Sequence, residues 1–296
     1  MRWVEGFIAV DWGTTNRRAY VIGSDGRCVE EMEDDKGILT VPQGAFAQAV
    51  QEIRGRLGDK PLLLAGMIGS NRGWIEAPYV PCPAGSQEIA SRLTWAENER
   101  TAIVPGVSFV EGEVADVMRG EEVQILGALA AGEIAEDSLV CHPGTHNKWI
   151  RVEAGRIVWF TTVMTGELFN LLRDRSILAD LLRGPVEPDQ AFGRGVQLGL
   201  DGAGLTSELF RIRAGVLLGC ARADDAPSFA SGLLIGADLR TGLAEATDGK
   251  DVVVMGRPEL TRLYVEALRI AGRKGTEMDG ESAFVAGARK IVESIE

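Results

Sequence analysis

A five-residue pattern occurs twice in this chain, and it constrains the fold more tightly than any bulk property. Gly13-Thr14-Thr15-Asn16-Arg17 returns as Gly144-Thr145-His146-Asn147-Lys148. Each copy leads into a strand-like stretch (Arg18 to Ile22; Trp149 to Val152), a Gly-Arg turn (Gly26-Arg27; Gly155-Arg156) and another strand-like stretch (Cys28 to Met32; Ile157 to Thr162). Similarity that persists from the motif to the following turn marks one supersecondary unit used twice. A chain of 296 residues has room for two domains, each with a core. The repeat therefore predicts two related domains, residues 1–132 and 133–296.

The pattern around each copy is that of an α/β protein. Gly6 to Val10 supplies a strand ahead of the first turn, and Phe46, Val50, Ile53 and Leu57 give residues 44–57 the spacing of an amphipathic helix. The all-apolar Leu62 to Ala65 that follows predicts a buried parallel strand. Beyond the second copy, helical spacing covers 165–182, 204–215, 228–246, 259–271 and 282–294, with one strand at Val252 to Met255. The C-terminal half is expected to be the more helical.

Composition removes several functions. Apolar residues make up 45% of the chain and charged residues 25%, so it has the material for packed cores. A net charge of −12 argues against a nucleic-acid partner or an anionic membrane, both of which require a basic face. The apolar stretch Phe7 to Val10 is short and flanked by Glu5 and Asp11, unlike a signal peptide, and no run is long enough to span a bilayer. The widely separated Cys28, Cys82, Cys141 and Cys220 form no zinc or redox motif. Free thiols and a cytoplasmic location are expected.

A tight strand–turn–strand of Gly and small hydroxyl residues gathers backbone N–H groups into one concavity, which suits phosphate oxygens. In the first copy Asp11 heads the turn, where a carboxylate can hold Mg²⁺ through water while Gly13, Thr14, Thr15 and Asn16 hold phosphates. An aspartate at a turn also commonly bonds its own backbone. In the second copy His142 and Pro143 precede Gly144-Thr145-His146, so phosphate cradling without metal binding is expected. His142 and His146 flank Pro143-Gly144, which disfavours the helix a shared metal would need.

Asp11-Trp12-Gly13-Thr14-Thr15-Asn16 resembles the first phosphate motif of the actin-like sugar kinases, and Pro143-Gly144-Thr145-His146 their second. Val252-Val253-Val254-Met255-Gly256, leading into a helix at Pro258, is similar to their adenosine-contacting strand and turn, with Gly256 at its end. Met118-Arg119-Gly120-Glu121-Glu122 looks like their Gly-acid helix start, which supplies the base for the attacking hydroxyl. Glu121 is preferred from its place after Gly120. Glu122 stays open, because a helical wheel puts it in the stripe of Met118, Ile125, Leu126 and Leu129. Acids at a helix start also simply favour the macrodipole.

At Met118 to Gln124 the likeness narrows to one family. Together with Ala65-Gly66-Met67-Ile68-Gly69-Ser70-Asn71, Gly73-Trp74, Lys148-Trp149, Thr162 to Leu168 and Ser231 to Ala237, the chain resembles the 2-dehydro-3-deoxygalactonokinases over nearly its whole length. The resemblance implies duplicated ribonuclease H-like domains of the actin-like ATPase fold with an interdomain cleft. The first domain would carry the sugar-acid site and the second the adenosine site. It implies ATP-dependent phosphorylation of 2-dehydro-3-deoxy-D-galactonate at its terminal hydroxyl, with ATP and Mg²⁺ as cofactors. For the substrate carboxylate a cationic or multi-donor clamp is needed, and Arg17, Ser70, Asn71, Arg119 and Lys148 are the candidates. Trp74 and Tyr79 are candidates for walls of the sugar site.

Other kinase classes do not fit. The chain contains no Gly-Lys-Ser/Thr, so a P-loop is absent. Asp201-Gly202-Ala203-Gly204 is similar to a ribokinase anion hole, but Leu205 stands where the catalytic aspartate belongs. Two alternatives remain: a kinase for a related 2-keto-3-deoxy sugar acid, and a non-catalytic actin-like ATP-binding module. The second lacks the linkers and charged tails such modules carry. A homo-oligomer is compatible with the sequence.

Overall fold

The structure, a computed structural model, describes residues 3–97, 99–245, 249 and 251–295. In chain order its first elements are β1 (Phe7–Trp12), β2 (Arg17–Ile22), β3 (Cys28–Asp34), α1 (Phe46–Leu57), β4 (Leu62–Gly66), β5 (Tyr79–Pro81), α2 (Ser86–Ala90), β6 (Thr94–Ala96), β7 (Thr101–Ile103), β8 (Gly106–Glu111), β9 (Val114–Met118) and α3 (Glu121–Ala130). They continue as β10 (Ser138–His142), β11 (Asn147–Glu153), β12 (Arg156–Val163), α4 (Thr165–Arg175), α5 (Gln190–Leu200), α6 (Leu205–Leu217), α7 (Ala226–Ala244), β13 (Val252–Gly256), α8 (Pro258–Ile270), β14 (Gly275–Asp279) and α9 (Gly280–Glu293).

The expected duplication is visible in the sheets. The first has the order β3-β2-β1-β4-β7-β6, with β1 antiparallel to β2 and parallel to β4. The second has the order β12-β11-β10-β13-β14, with β13 parallel to both β10 and β14. In each, a three-strand meander runs to one side of its first strand and parallel crossovers build the other, with β6 added antiparallel at the edge of the first sheet. Every residue of β4 is buried, as its unbroken apolar run requires. Ile8, Val10, Leu62 and Leu64 pack with Phe46, Val50 and Ile53 of α1 in one core.

The chain divides into two compact units, 1–137 with 152–160 and 280–296, and 138–151 with 161–279. The expected division after residue 132 lies close to the first of these crossings. The C-terminal helix, expected with the second domain, groups with the first unit. Its reason is a backbone contact: a Cβ on Gly287 would stand 1.8 Å from the Val123 carbonyl oxygen, and one on Gly127 1.8 Å from that of Ala283. Helices α3 and α9 touch through these glycines. In the second unit α5 and α7 meet the same way, since Cβ atoms on Gly195 and Gly232 would each fall 2.2 Å from a carbonyl oxygen of the facing helix.

That contact explains why α5 was not foreseen. Three of its eleven residues are glycine, which lowers intrinsic helix propensity, but close packing against α7 requires two of them, Gly195 and Gly199. The expected helix at 165–182 ends at Arg175, where Ser176 turns extended and lets Leu178 and Leu182 enter a core with Leu209, Ile212 and Leu233. The Ala246 end of the expected 228–246 helix lies outside the described residues. The sheet β5-β8-β9, also unforeseen, is made of short strands with exposed valines at 110, 114 and 117. Among the described residues no helix is long and apolar enough to cross a membrane.

Candidate active site

In the first unit the turn after β1 is held from behind. The Gly13, Thr14 and Thr15 carbonyls accept hydrogen bonds from the N–H groups of Ile38, Leu39 and Gly37 at 3.0, 3.2 and 2.9 Å. The carbonyl and N–H of one trans peptide point in opposite directions. The amides of Thr14, Thr15 and Asn16 therefore face away from that backing segment, as a phosphate nest requires. Gly37 permits the approach, because a Cβ there would lie 2.3 Å from the Thr15 carbonyl carbon.

Three separate sequence motifs meet at the ends of β1 and β4. Asp11 pairs with Ala65 in the parallel ladder, and a Cβ on Gly66 would sit 3.3 Å from Asp11 Oδ1. The next contact runs from Gly66 to Gly120, whose Cβ position is 3.4 Å from Gly66 Cα. Both glycines have positive φ, 86° and 114°. Helix α3 thus starts beside Asp11, and its first two residues are Glu121 and Glu122.

These two acids differ sharply. Glu122 is fully buried; its Oε2 accepts from the Gly120 N–H at 2.7 Å, and its Oε1 has no hydrogen-bond partner. Burial pushes its carboxyl up to about 8, and the neighbouring Glu121 charge adds to this. Glu121 is only partly buried and accepts from the Arg119 N–H at 3.1 Å. Arg119 lies along Gly69, donates to the Ala77 carbonyl at 2.8 Å and places its guanidinium 4.5 Å from the Tyr79 ring centroid. Its Nε is buried without a partner.

In the second unit the turn is backed by a helix. The Thr145 carbonyl accepts from the Glu167 N–H at 2.8 Å, so the His146 amide faces away from α4. Gly166 permits this, because a Cβ there would be 2.3 Å from the Gly144 carbonyl oxygen. The His146 ring pairs with the Glu167 carboxylate. Beside the turn lies a cavity of ≈ 360 Å³, lined by Gly144 and Thr145, by Thr165 and Gly166 of α4, by Ser231, Leu234 and Ile235 of α7, and by Leu260, Leu263 and Tyr264 of α8.

Comparison with known proteins settles the relationship. The family model described as 2-keto-3-deoxy-galactonokinase matches residues 11–291. The 2-dehydro-3-deoxygalactonokinase of Escherichia coli strain K12 is 34% identical over 98% of each chain. The chain belongs to the 2-keto-3-deoxy-galactonokinase family. A crystal structure of a candidate 2-dehydro-3-deoxygalactonokinase from Sinorhizobium meliloti superposes with a TM-score of 0.89 at 34% identity, covering 98% of this chain and 99% of that one. Component A of the Acidaminococcus fermentans (R)-2-hydroxyglutaryl-CoA dehydratase, 13% identical with a TM-score of 0.51, covers 98% of this chain and 99% of its own and shares the fold alone. The architecture is that of the actin-like ATPases.

Against this family frame, the two cations of the repeated turns are already engaged. Arg17 is buried and grips Asp34 with two hydrogen bonds, at 2.7 and 3.0 Å, while stacking 4.8 Å from the Trp12 ring centroid. Burial works to raise the Asp34 carboxyl, but the Arg17 and Lys36 hydrogen bonds outweigh it and hold the group below the usual carboxylate range. Lys148 is buried and donates to the Thr162 hydroxyl at 2.9 Å. Both cations are buried and held by partners on the strands of their own meanders.

Ser70 donates to the Met67 carbonyl at 2.7 Å and accepts from the Arg72 N–H, fixing a turn that leaves Asn71 exposed. Trp74 is half-buried against the first core. Gly256 packs on Pro143, its Cβ position 3.4 Å from that carbonyl oxygen. The cavity wall is formed by the helix after it. Asp238 was not foreseen. A lone acid inside the apolar run Leu233 to Leu239 was its only signal.

Proposed function

We propose that this family member transfers the γ-phosphate of ATP to the terminal (6-) hydroxyl of 2-dehydro-3-deoxy-D-galactonate, giving 2-dehydro-3-deoxy-6-phosphogalactonate. The substrate is supported by the E. coli relative's name at 34% identity over nearly the full chain. The chemistry rests on one observation, the meeting of Asp11, Gly66 and Gly120 where α3 begins with two acids. Phosphoryl transfer is mostly positioning and charge neutralisation, with a base as a smaller contribution.

Glu121 is the base. It is the partly exposed acid, whereas burial pushes the Glu122 carboxyl up to about 8 and leaves it mostly protonated at neutral pH. Arg119, Ser70 and Asn71 are the groups for the sugar acid's carboxylate and hydroxyls, with Tyr79 and Trp74 beside them. The amides of Thr14 to Asn16 and of His146 are phosphate ligands, and the cavity against α7 and α8 takes the nucleoside.

Among the described residues no group of three or more His, Cys, Asp or Glu is arranged to hold a metal on its own. A single carboxylate at a phosphate turn instead suits Mg²⁺, which keeps most of its water and takes its other ligands from phosphate. Asp11 would hold it, and the ion would supply neutralisation of phosphate charge. ATP as donor and the free thiols of Cys28, Cys82, Cys141 and Cys220 fit a cytoplasmic enzyme.

The test is ADP release from purified protein with Mg²⁺-ATP across a panel of 2-keto-3-deoxy sugar acids that includes the galacto and gluco epimers. Turnover that is fastest with the galacto epimer supports the reading. Faster turnover with another epimer reassigns the substrate, and slow, sugar-independent ADP release would make the chain an ATP-binding module.

A further inference from the structure

We infer that Asp238 is a positioning residue for the nucleotide cavity, setting both the place and the proton direction of the Thr165 and Tyr264 hydroxyls; this rests on the reading of that cavity as the ATP site. Asp238 lies on α7 and is 1% exposed. Its carboxylate gathers donors from three other elements. Asn147 Nδ2 on β11 reaches both oxygens at 2.9 Å, and Trp149 Nε1, also on β11, reaches Oδ1 at 2.6 Å. The Tyr264 hydroxyl on α8 donates to Oδ2 at 2.6 Å, and the Thr165 hydroxyl at the start of α4 donates to the same oxygen.

Only two of these four donors, Thr165 and Tyr264, line the cavity. Thr165 also precedes Gly166, the residue packed on the Gly144 carbonyl. A buried acid in a helix as apolar as α7 is costly unless fully hydrogen-bonded. Asp238 meets that condition by tying the walls of one pocket to a single point.

The chemistry follows from the inventory of donors. The Trp149 indole N–H can only donate and occupies Oδ1, and the Asn147 amide donates to both oxygens. Thr165 and Tyr264 each have one hydroxyl proton, and each gives it to Oδ2. What remains on both hydroxyls is acceptor capacity alone. Where these hydroxyls meet a ligand they would therefore offer acceptors, which favours ligand groups that donate, such as ribose hydroxyls or an exocyclic amine.

Asp238→Asn keeps the shape but reverses this. The Trp149 indole can only donate, so the new carbonyl oxygen stays with it, while the new amide faces Thr165 and Tyr264, turns both hydroxyl protons away and costs one of the two Asn147 bonds. Steady-state kinetics should show KM for ATP raised about 10–100-fold, as for the loss of charge-assisted hydrogen bonds, with KM for the sugar acid within about twofold. Thr165→Val and Tyr264→Phe should each raise KM for ATP by less, and neither should add to the effect of Asp238→Asn.

Titration calorimetry with a non-hydrolysable ATP analogue separates the failures. If the wild-type protein does not bind the analogue, the nucleotide reading itself is wrong. If the wild type binds and Asp238→Asn binds equally well, or raises both KM values alike, the inference is overturned. Should Asp238→Asn not fold, the two hydroxyl variants decide, since unchanged KM for ATP in both also overturns it.

Discussion

The two Gly-Thr turns share a template and use it differently. In the first, the tryptophan beside the turn, Trp12, gives its indole N–H to the Lys36 carbonyl, and the cation at the end of the motif is locked on Asp34. In the second, the tryptophan that follows the motif, Trp149, gives its N–H to Asp238, and Asn147 gives both of its bonds to the same acid. Asn16, the counterpart of Asn147, is exposed. One turn is braced by a salt bridge on its own meander, with an acid at its head. The other is braced by a buried acid borrowed from a helix, with a histidine at its head. A duplicated unit can thus keep its backbone while its two copies differ in bracing, and the proposed function divides the chemistry between them, metal and proton handling with the first and nucleoside binding with the second.

The sharpest way to break that division is at the heads of the turns. Asp11→Asn is expected to reduce kcat by ~10³ or more while the protein stays folded, because in the proposed function this carboxylate would hold the metal. His142→Asn should change kcat by less than about tenfold. Equal losses in the two variants, measured at saturating Mg²⁺-ATP and sugar acid, would mean that the copies share the metal role.

The next effect separates the paired acids. Glu121→Gln should lower kcat by ~10² with little change in either KM, the expected loss for a general base in a reaction dominated by positioning. Glu122→Gln should cost less than about tenfold, because a group that is already neutral is replaced by a neutral one. If Glu122→Gln is the dead variant, the base assignment reverses.

Much of this was legible in the sequence. The repeat announced two sheets of one design, and apolar runs such as Leu62 to Ala65 announced buried strands. Asp11, Gly120 and the acids of α3 could be singled out from motif order. What could not be read was tertiary. Nothing local distinguishes Arg17 as a salt-bridge partner from Arg17 as a substrate clamp, because Asp34 reaches it only through β2–β3 pairing. Helix α5 was hidden by the glycines that let it touch α7. Asp238 was hidden because its four partners come from residues 147, 149, 165 and 264.

A smaller effect tests how the two cations are used. Arg17→Met leaves the Asp34 carboxylate, 15% exposed, without its main partner, and should cost ~3 kcal/mol of stability. Lys148→Met loses a hydrogen bond to a hydroxyl and keeps an apolar stem of similar length, and should cost ~1 kcal/mol. Urea midpoints of the two variants check the ranking. A larger loss at Lys148 would show that the second turn carries a charge partnership like that of the first.

The last test lies in the pH dependence of stability and concerns Glu122 alone. Its ordinary value is 4.5, and burial, with the Glu121 charge, raises it to about 8 in the folded protein. Below about 4.5 both the folded and the unfolded chain hold this proton. Between about 4.5 and about 8 the folded chain holds it and the unfolded chain has lost it, so the folded state binds more protons and its stability falls as pH rises. The favourable contribution is present in full below the unfolded value and is gone once pH passes the folded one. Its slope is at most ~1.4 kcal/mol per pH unit for a single group. Glu122→Gln removes the titration, so the variant's stability should gain on the wild type steadily from pH 5 to pH 8 and level off above that. Urea unfolding at four pH values across the window measures the difference directly, and the other titrating groups cancel between the two proteins. Parallel curves would mean that Glu122 is ionised in the folded protein, which would return it to contention as the base.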